Sequence, residues 1–97
     1  MKVSYAEGAL DEGRAAAEFY EESQSGLGAE FAREWKAAVE RLRAAPLLNR
    51  EFRPNRRKCR LHRFPYALVY RLRGGRAEIL AVAHLHRRPE YWERRLR

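Results

Sequence analysis

A single cysteine, Cys59, rules out a disulfide within the chain and fits a reducing compartment. It alternates with basic residues, which places it at a buried strand position rather than as a nucleophile. No apolar run approaches the ~20 residues of a membrane-spanning helix. The opening MKVSYAEGALDEG has no apolar signal core, so the expectation is a soluble cytoplasmic protein with no membrane partner. The four prolines fall at breaks (46, 54, 65 and 89), and there are no internal repeats or low-complexity tracts. Acids are short relative to bases: 13 Asp and Glu against 21 Lys and Arg give a net charge of +8.

Ninety-seven residues bound the answer to one domain, 1–97, with one modest core. A hydrophobic content of 45% with 11% aromatics is enough for a packed fold. The charge is unevenly spread. Most acids lie between residues 6 and 40, whereas Arg50, Arg53, Arg56, Arg57, Lys58, Arg60 and Arg63 crowd around the lone Glu51. Such a patch points to an anionic partner, either nucleic acid or an acidic protein segment.

Val3 and Tyr5 alternate as in a short first strand. A helix is predicted from about Leu10 to Ser23, with Leu10, Ala16, Ala17 and Tyr20 near one face and Asp11 and Glu12 at the positive end of its dipole. Ser23 to Gly28 reads as a connection. Leu27, Phe31, Trp35, Ala38, Leu42 and Ala45 then step by four, four, three, four and three, one continuous helical stripe that Pro46 ends. Leu47 to Asn55 reads as irregular. From Arg57 the period becomes two, with Cys59 and Leu61 on one side and Lys58, Arg60 and His62 on the other. Phe64-Pro65 breaks that strand and Tyr66 to Arg73 resumes it, with Tyr66, Leu68, Tyr70 and Leu72 on one side. Gly74-Gly75 supplies the positive φ angles of a two-residue hairpin, and Ala77 to Ala83 returns as a strand covered on both faces. Pro89 opens a short final helix running through Leu96. The predicted fold is α+β: an antiparallel helical hairpin on one face of a small, mainly antiparallel sheet of about four strands. The other face stays partly open, edged by Lys58, Arg60, His62, His84, Arg87, Arg88 and Tyr91.

His84 and His86 stand two apart at the end of a strand, a spacing that two metal ligands can use, but no third ligand follows at suitable spacing. No metal and no cofactor is therefore assigned. Histidines also titrate near neutrality and are candidate bases. Tyr91 and Trp92 either pack the final helix onto the sheet or stack on bases.

The run R-L-H-R-F-P-Y-A-L-V-Y-R, followed by G-G-R-A-E-I-L-A-V-A-H-L-H-R-R-P-E-Y-W, resembles the RelE/ParE superfamily of toxins from bacterial type II toxin–antitoxin systems. Element order, length and basic charge agree with it over nearly the whole chain. The resemblance implies a growth inhibitor held inactive, as a hetero-oligomer, by an antitoxin encoded beside it. The FPY-x-x-x-YR and A-H-x-x-R-R-P-x-Y-W spacings look more like ParE and plasmid-stabilisation sequences, whose target is DNA gyrase and which act by binding. For that reading the implied target- or antitoxin-binding residues are Lys58, Arg60, His62, His84, Arg87, Arg88 and Trp92. The RelE-like alternative is a ribosome-dependent mRNA endonuclease. Its pattern falls on Lys58, Arg60, Arg87 and Tyr91 as catalytic groups, while the arginine expected beside the strand tyrosine is Ala67 here. A third reading is a non-toxic family member that only binds its antitoxin.

Overall fold

The computed structural model describes residues 1–88 and 90–96. Strand β1 (Lys2–Tyr5) leads into helices α1 (Ala9–Ser23) and α2 (Leu27–Ala44). Strands β2 (Glu51–Arg53), β3 (Arg56–Arg60), β4 (Tyr66–Arg73) and β5 (Arg76–His84) follow, then a single helical turn, α3 (Glu90–Glu93), continued as a 3-10 turn over Arg94–Leu96. The five strands form one sheet in the order β1-β5-β4-β3-β2. β1 runs parallel to β5, and the other neighbouring pairs are antiparallel. The expected start of the last helix at Pro89 lies outside the described residues.

Both helices lie on one face because their apolar stripes match the strand residues of one parity. Phe31, Ala38 and Leu42 from α2 meet Cys59, Leu68, Tyr70, Ile79 and Val82 in one buried cluster. Phe31 is its hub, with ring centroids of Tyr20, Phe64 and Tyr66 at 5.2–5.5 Å. Burying a side chain of that size contributes roughly 1.5–3 kcal/mol. Gly74 and Gly75 both carry positive φ, as a tight β4–β5 hairpin requires.

The sheet has five strands rather than four. The region expected to be irregular holds β2, paired to β3 and turned at Pro54-Asn55. Three residues, two of them charged, are too short for a period-two signal. Asn55 takes a left-handed conformation (φ 51°), and its side-chain amide both donates to and accepts from the backbone of Leu72. The predicted connection is also shorter than expected, since α2 begins at Leu27 and takes in Gly28. Gly26 has no side chain with which to cap the helix. Instead the Glu21 carboxylate, reaching from α1, accepts hydrogen bonds from the backbone N–H groups of Gly26 and Gly28 at 3.0–3.1 Å.

The second face of the sheet is not left bare. Register shifts on β5 between its pairings to Val69 and Tyr70, so that the adjacent residues Leu80 and Ala81 both join a second cluster with Val69, Ala83, Ala6 and Trp92. Trp92, 2% exposed, plugs the middle of this face. Two ion pairs hold the C-terminal turn there: Arg56 to Glu93 at 2.8 Å and Arg95 to Glu12 at 2.9 Å.

The second pair completes a strand edge. β1 last bonds to β5 where the Ala6 N–H meets the Ile79 carbonyl. Just beyond it, Arg95 donates to the Leu80 carbonyl at 2.7 Å, and Glu12 accepts from the Val82 N–H at 3.1 Å. The two side chains thus satisfy backbone groups that a longer β1 would have paired.

Candidate functional site

Between the C-terminal turn and β2 the second face remains indented. Alternation on β3 turns Lys58 and Arg60 outward while Cys59 is buried among the helices. On β4 and β5 the matching side is made of small residues, Ala67 paired to Ala83 and Val69 to Ala81. A cleft of about 160 Å³ results. Ala67, Val69 and Ala83 line it from the strands, Phe52 and Trp92 form an aromatic wall, and Arg53, Lys58 and Arg87 are its cations.

Those cations are held by rings rather than by acids. The Lys58 ammonium sits 4.5 Å from the centroid of Phe52, and the Arg53 guanidinium lies about 6 Å from both Phe52 and Trp92. Phe52 meets Trp92 edge to face at 6.1 Å. Arg87 stacks on Tyr91 at 4.1 Å. Among the described side chains no acid lines the cleft, and no carboxylate pairs with Arg53, Lys58 or Arg87. His84 closes one end, packed edge-on to Tyr66, and its Nδ1 accepts the His86 backbone N–H. In the neutral ring the proton is therefore on Nε2.

Of the sequence-predicted residues, Lys58, His84, Arg87 and Trp92 share this cleft. Arg60 and His62 are exposed but do not line it. Arg88 sits with Arg87 and Tyr91 around a separate shallow opening. Trp92 is a wall of the cleft, too buried to serve as a stacking platform. Tyr91 faces the groove beside α1 with Glu12, Phe19 and Val82. Its hydroxyl is buried, and among the described residues it makes no well-formed hydrogen bond, with the Glu12 carboxylate only loosely in reach. Burial, reinforced by the nearby Glu12 carboxylate and opposed by Arg87 and Arg95, holds the phenol well above the usual tyrosine range.

Cys59 is enclosed between sheet and α2, where its thiol contacts the Ala38 carbonyl. Burial raises its pKa, with Arg41 opposing, so it is no reactive thiolate. Sequence reasoning missed Phe52 and Arg53, whose strand was not read, and the Glu12–Arg95 pair. The one signal for the former was an aromatic residue set among arginines between Pro46 and Pro54.

Comparison with known proteins gives a consistent picture. The sequence pattern of the family described as "ParE toxin of type II toxin-antitoxin system, parDE" matches residues 3–89. A solved structure of the chromosomal ParDE TA system from P. aeruginosa superposes with a TM-score of 0.63 at 17% identity, covering 87% of this chain and 95% of that one. At that identity the likeness concerns the fold. No curated protein sequence matches the chain.

Proposed function

The chain belongs to the ParE toxin family of type II toxin–antitoxin systems, and from that premise we propose that it arrests growth by binding DNA gyrase until a cognate antitoxin covers its basic face. The second face of the sheet is the binding surface in this reading, with Lys58, Arg87 and His84 around its cleft and Arg60, His62 and Arg88 at its margins.

The observation that favours binding over catalysis is the position of Tyr91. Cutting RNA through its 2′-OH needs a base for that proton, cations for the phosphate and an acid for the leaving oxygen. Lys58 and Arg87 do line one cleft, which keeps the endonuclease as a second reading. Tyr91, the proton donor of that reading, has its hydroxyl buried near Glu12 and its pKa raised by burial. Both features make it a poor acid.

The test is induction of the protein without its partner, followed by mapping of new mRNA 5′ ends and of trapped double-strand DNA breaks. Arrest with DNA breaks and no new RNA ends supports the gyrase reading. Codon-phased RNA ends, abolished by Arg87→Ala, replace it with the endonuclease. No arrest at all leaves a family member that only binds its antitoxin.

A further inference from the structure

We infer that the cleft between β2, β4 and the C-terminal turn is an anchor for one carboxylate side chain, presented by an acidic segment of the antitoxin. The identity of that partner rests on the reading above, whereas the chemistry of the cleft rests on four observations here.

The first is charge. Arg53 and Lys58 from the paired strands β2 and β3, and Arg87 from beyond β5, converge on one small volume, with no acid lining it among the described side chains. Like charges brought together repel, and an anion placed among them is correspondingly favoured. The second is size. At about 160 Å³ the cleft is well below the roughly 300–1,000 Å³ of small-molecule sites. It is filled by the end of one side chain. The third is the lining. Ala67, Val69 and Ala83 offer an apolar bed for methylene groups while the cations wait around it, which matches an apolar stem carrying a charged head.

The fourth separates a carboxylate from a nucleic-acid strand. Single-stranded nucleic acid is gripped by free aromatic faces on which bases stack. Here the Phe52 ring is occupied by Lys58 and Arg53, the Tyr91 ring is covered by Arg87, and Trp92 is buried. The rings hold the cations in place without neutralising them, so little ordering remains when an anion arrives.

Fluorescence anisotropy on the full chain tests this with three labelled probes: a short peptide alternating Glu and Leu, its Gln–Leu counterpart, and an oligo-dT strand. Lys58→Ala removes a cation, Ala67→Leu fills the cleft at constant charge, and Arg73→Ala removes an exposed cation elsewhere on the sheet. The Glu peptide is expected to bind more tightly than the Gln peptide and oligo-dT. Its affinity should fall about tenfold in Lys58→Ala, the value of a charge-assisted hydrogen bond, and comparably in Ala67→Leu. Arg73→Ala should change it by less than about twofold, as a distant screened charge does. Tighter binding of oligo-dT with the same sensitivities would reassign the cleft to nucleic acid. Equal losses in Arg73→Ala and Lys58→Ala would reduce the effect to diffuse charge, and absence of Glu-peptide binding would remove the anchor. None of these readouts involves growth arrest or the antitoxin itself, so failure of the toxin–antitoxin reading would show separately in the induction experiment.

Discussion

Tyr91 combines features that seldom occur together: a ring stacked under Arg87, a second guanidinium from Arg95 at 5.3 Å, and a buried hydroxyl beside the Glu12 carboxylate that makes no well-formed hydrogen bond among the described residues. The ring contributes through cation–π contact and burial, while the hydroxyl costs desolvation and gains little from its loose approach to Glu12. Tyr91→Phe keeps the first and removes the second. It should leave stability unchanged or raise it by up to about 1 kcal/mol, a gain of at most ~8 °C in Tm for a domain this size. If the protein acts by binding, growth arrest on induction should survive the change. A thermal melt and an induction assay on the same variant check both halves, and a folded Phe variant that no longer arrests growth would point back to a proton-donating role.

At the scale of elements, the helical hairpin depends on close approach at a glycine. A Cβ built on Gly28 would lie 2.6 Å from the Ala17 carbonyl oxygen, which is helix backbone and cannot swing aside. Overpacking of this kind costs about 1–3 kcal/mol, against a gain of at most ~1 kcal/mol in helix propensity. The clash wins, so Gly28→Ala should be net destabilising by about 1–2 kcal/mol in a denaturant titration. The C-terminal turn hangs on a different device. Arg95→Ala would leave Glu12 without its charge partner and the Leu80 carbonyl without a donor. Both partners are under a fifth exposed. The loss should approach that of a buried pair, about 2–3 kcal/mol, or on the order of 10–20 °C in Tm. Hydrogen exchange at the Val82 amide, whose acceptor is Glu12, should speed up in the same variant; unchanged protection there would mean that Glu12 holds its place without Arg95.

These two devices also mark what the sequence alone conveys. The stripe on α2, the alternation from Cys59 to Leu61 and the Gly74-Gly75 turn are local patterns, so the helices, the hairpin and the basic outer side of β3 were legible. The Glu21 cap on α2 follows only when two helices are seen to meet. The Glu12–Arg95 pair spans 83 residues, with no periodicity to announce it. Site legibility divides in the same way. Lys58, His84 and Arg87 sit at positions that strand parity and the last turn expose. Phe52 and Arg53 belong to a three-residue strand whose pattern is too short to read, and the depth of the cleft comes from two alanines that carry no chemical signal.

For the whole molecule, arginine accounts for nearly all the positive charge, since the lysines are only Lys2, Lys36 and Lys58. Arginine stays charged throughout the alkaline range, so raising pH does little to relieve repulsion among the bases. Tyrosine is what changes. All five, Tyr5, Tyr20, Tyr66, Tyr70 and Tyr91, have pKa values raised above the ordinary 10.0, with burial the largest cause at every one. Below pH 10 the folded and unfolded chains both keep these protons, and stability is unaffected by them. Above it the unfolded chain releases protons that the folded chain retains, so stability must fall as pH climbs from 10 toward the folded values. The helix-side core is the part at stake, because Tyr20, Tyr66 and Tyr70 all belong to it. A combined titration should therefore show tyrosinate absorbance lagging behind that of free tyrosine and then rising together with loss of near-ultraviolet circular dichroism, as one cooperative step. Smooth ionisation centred near pH 10 with the dichroism intact would show that these hydroxyls reach water in the folded protein, and that the aromatic core is looser than its packing implies.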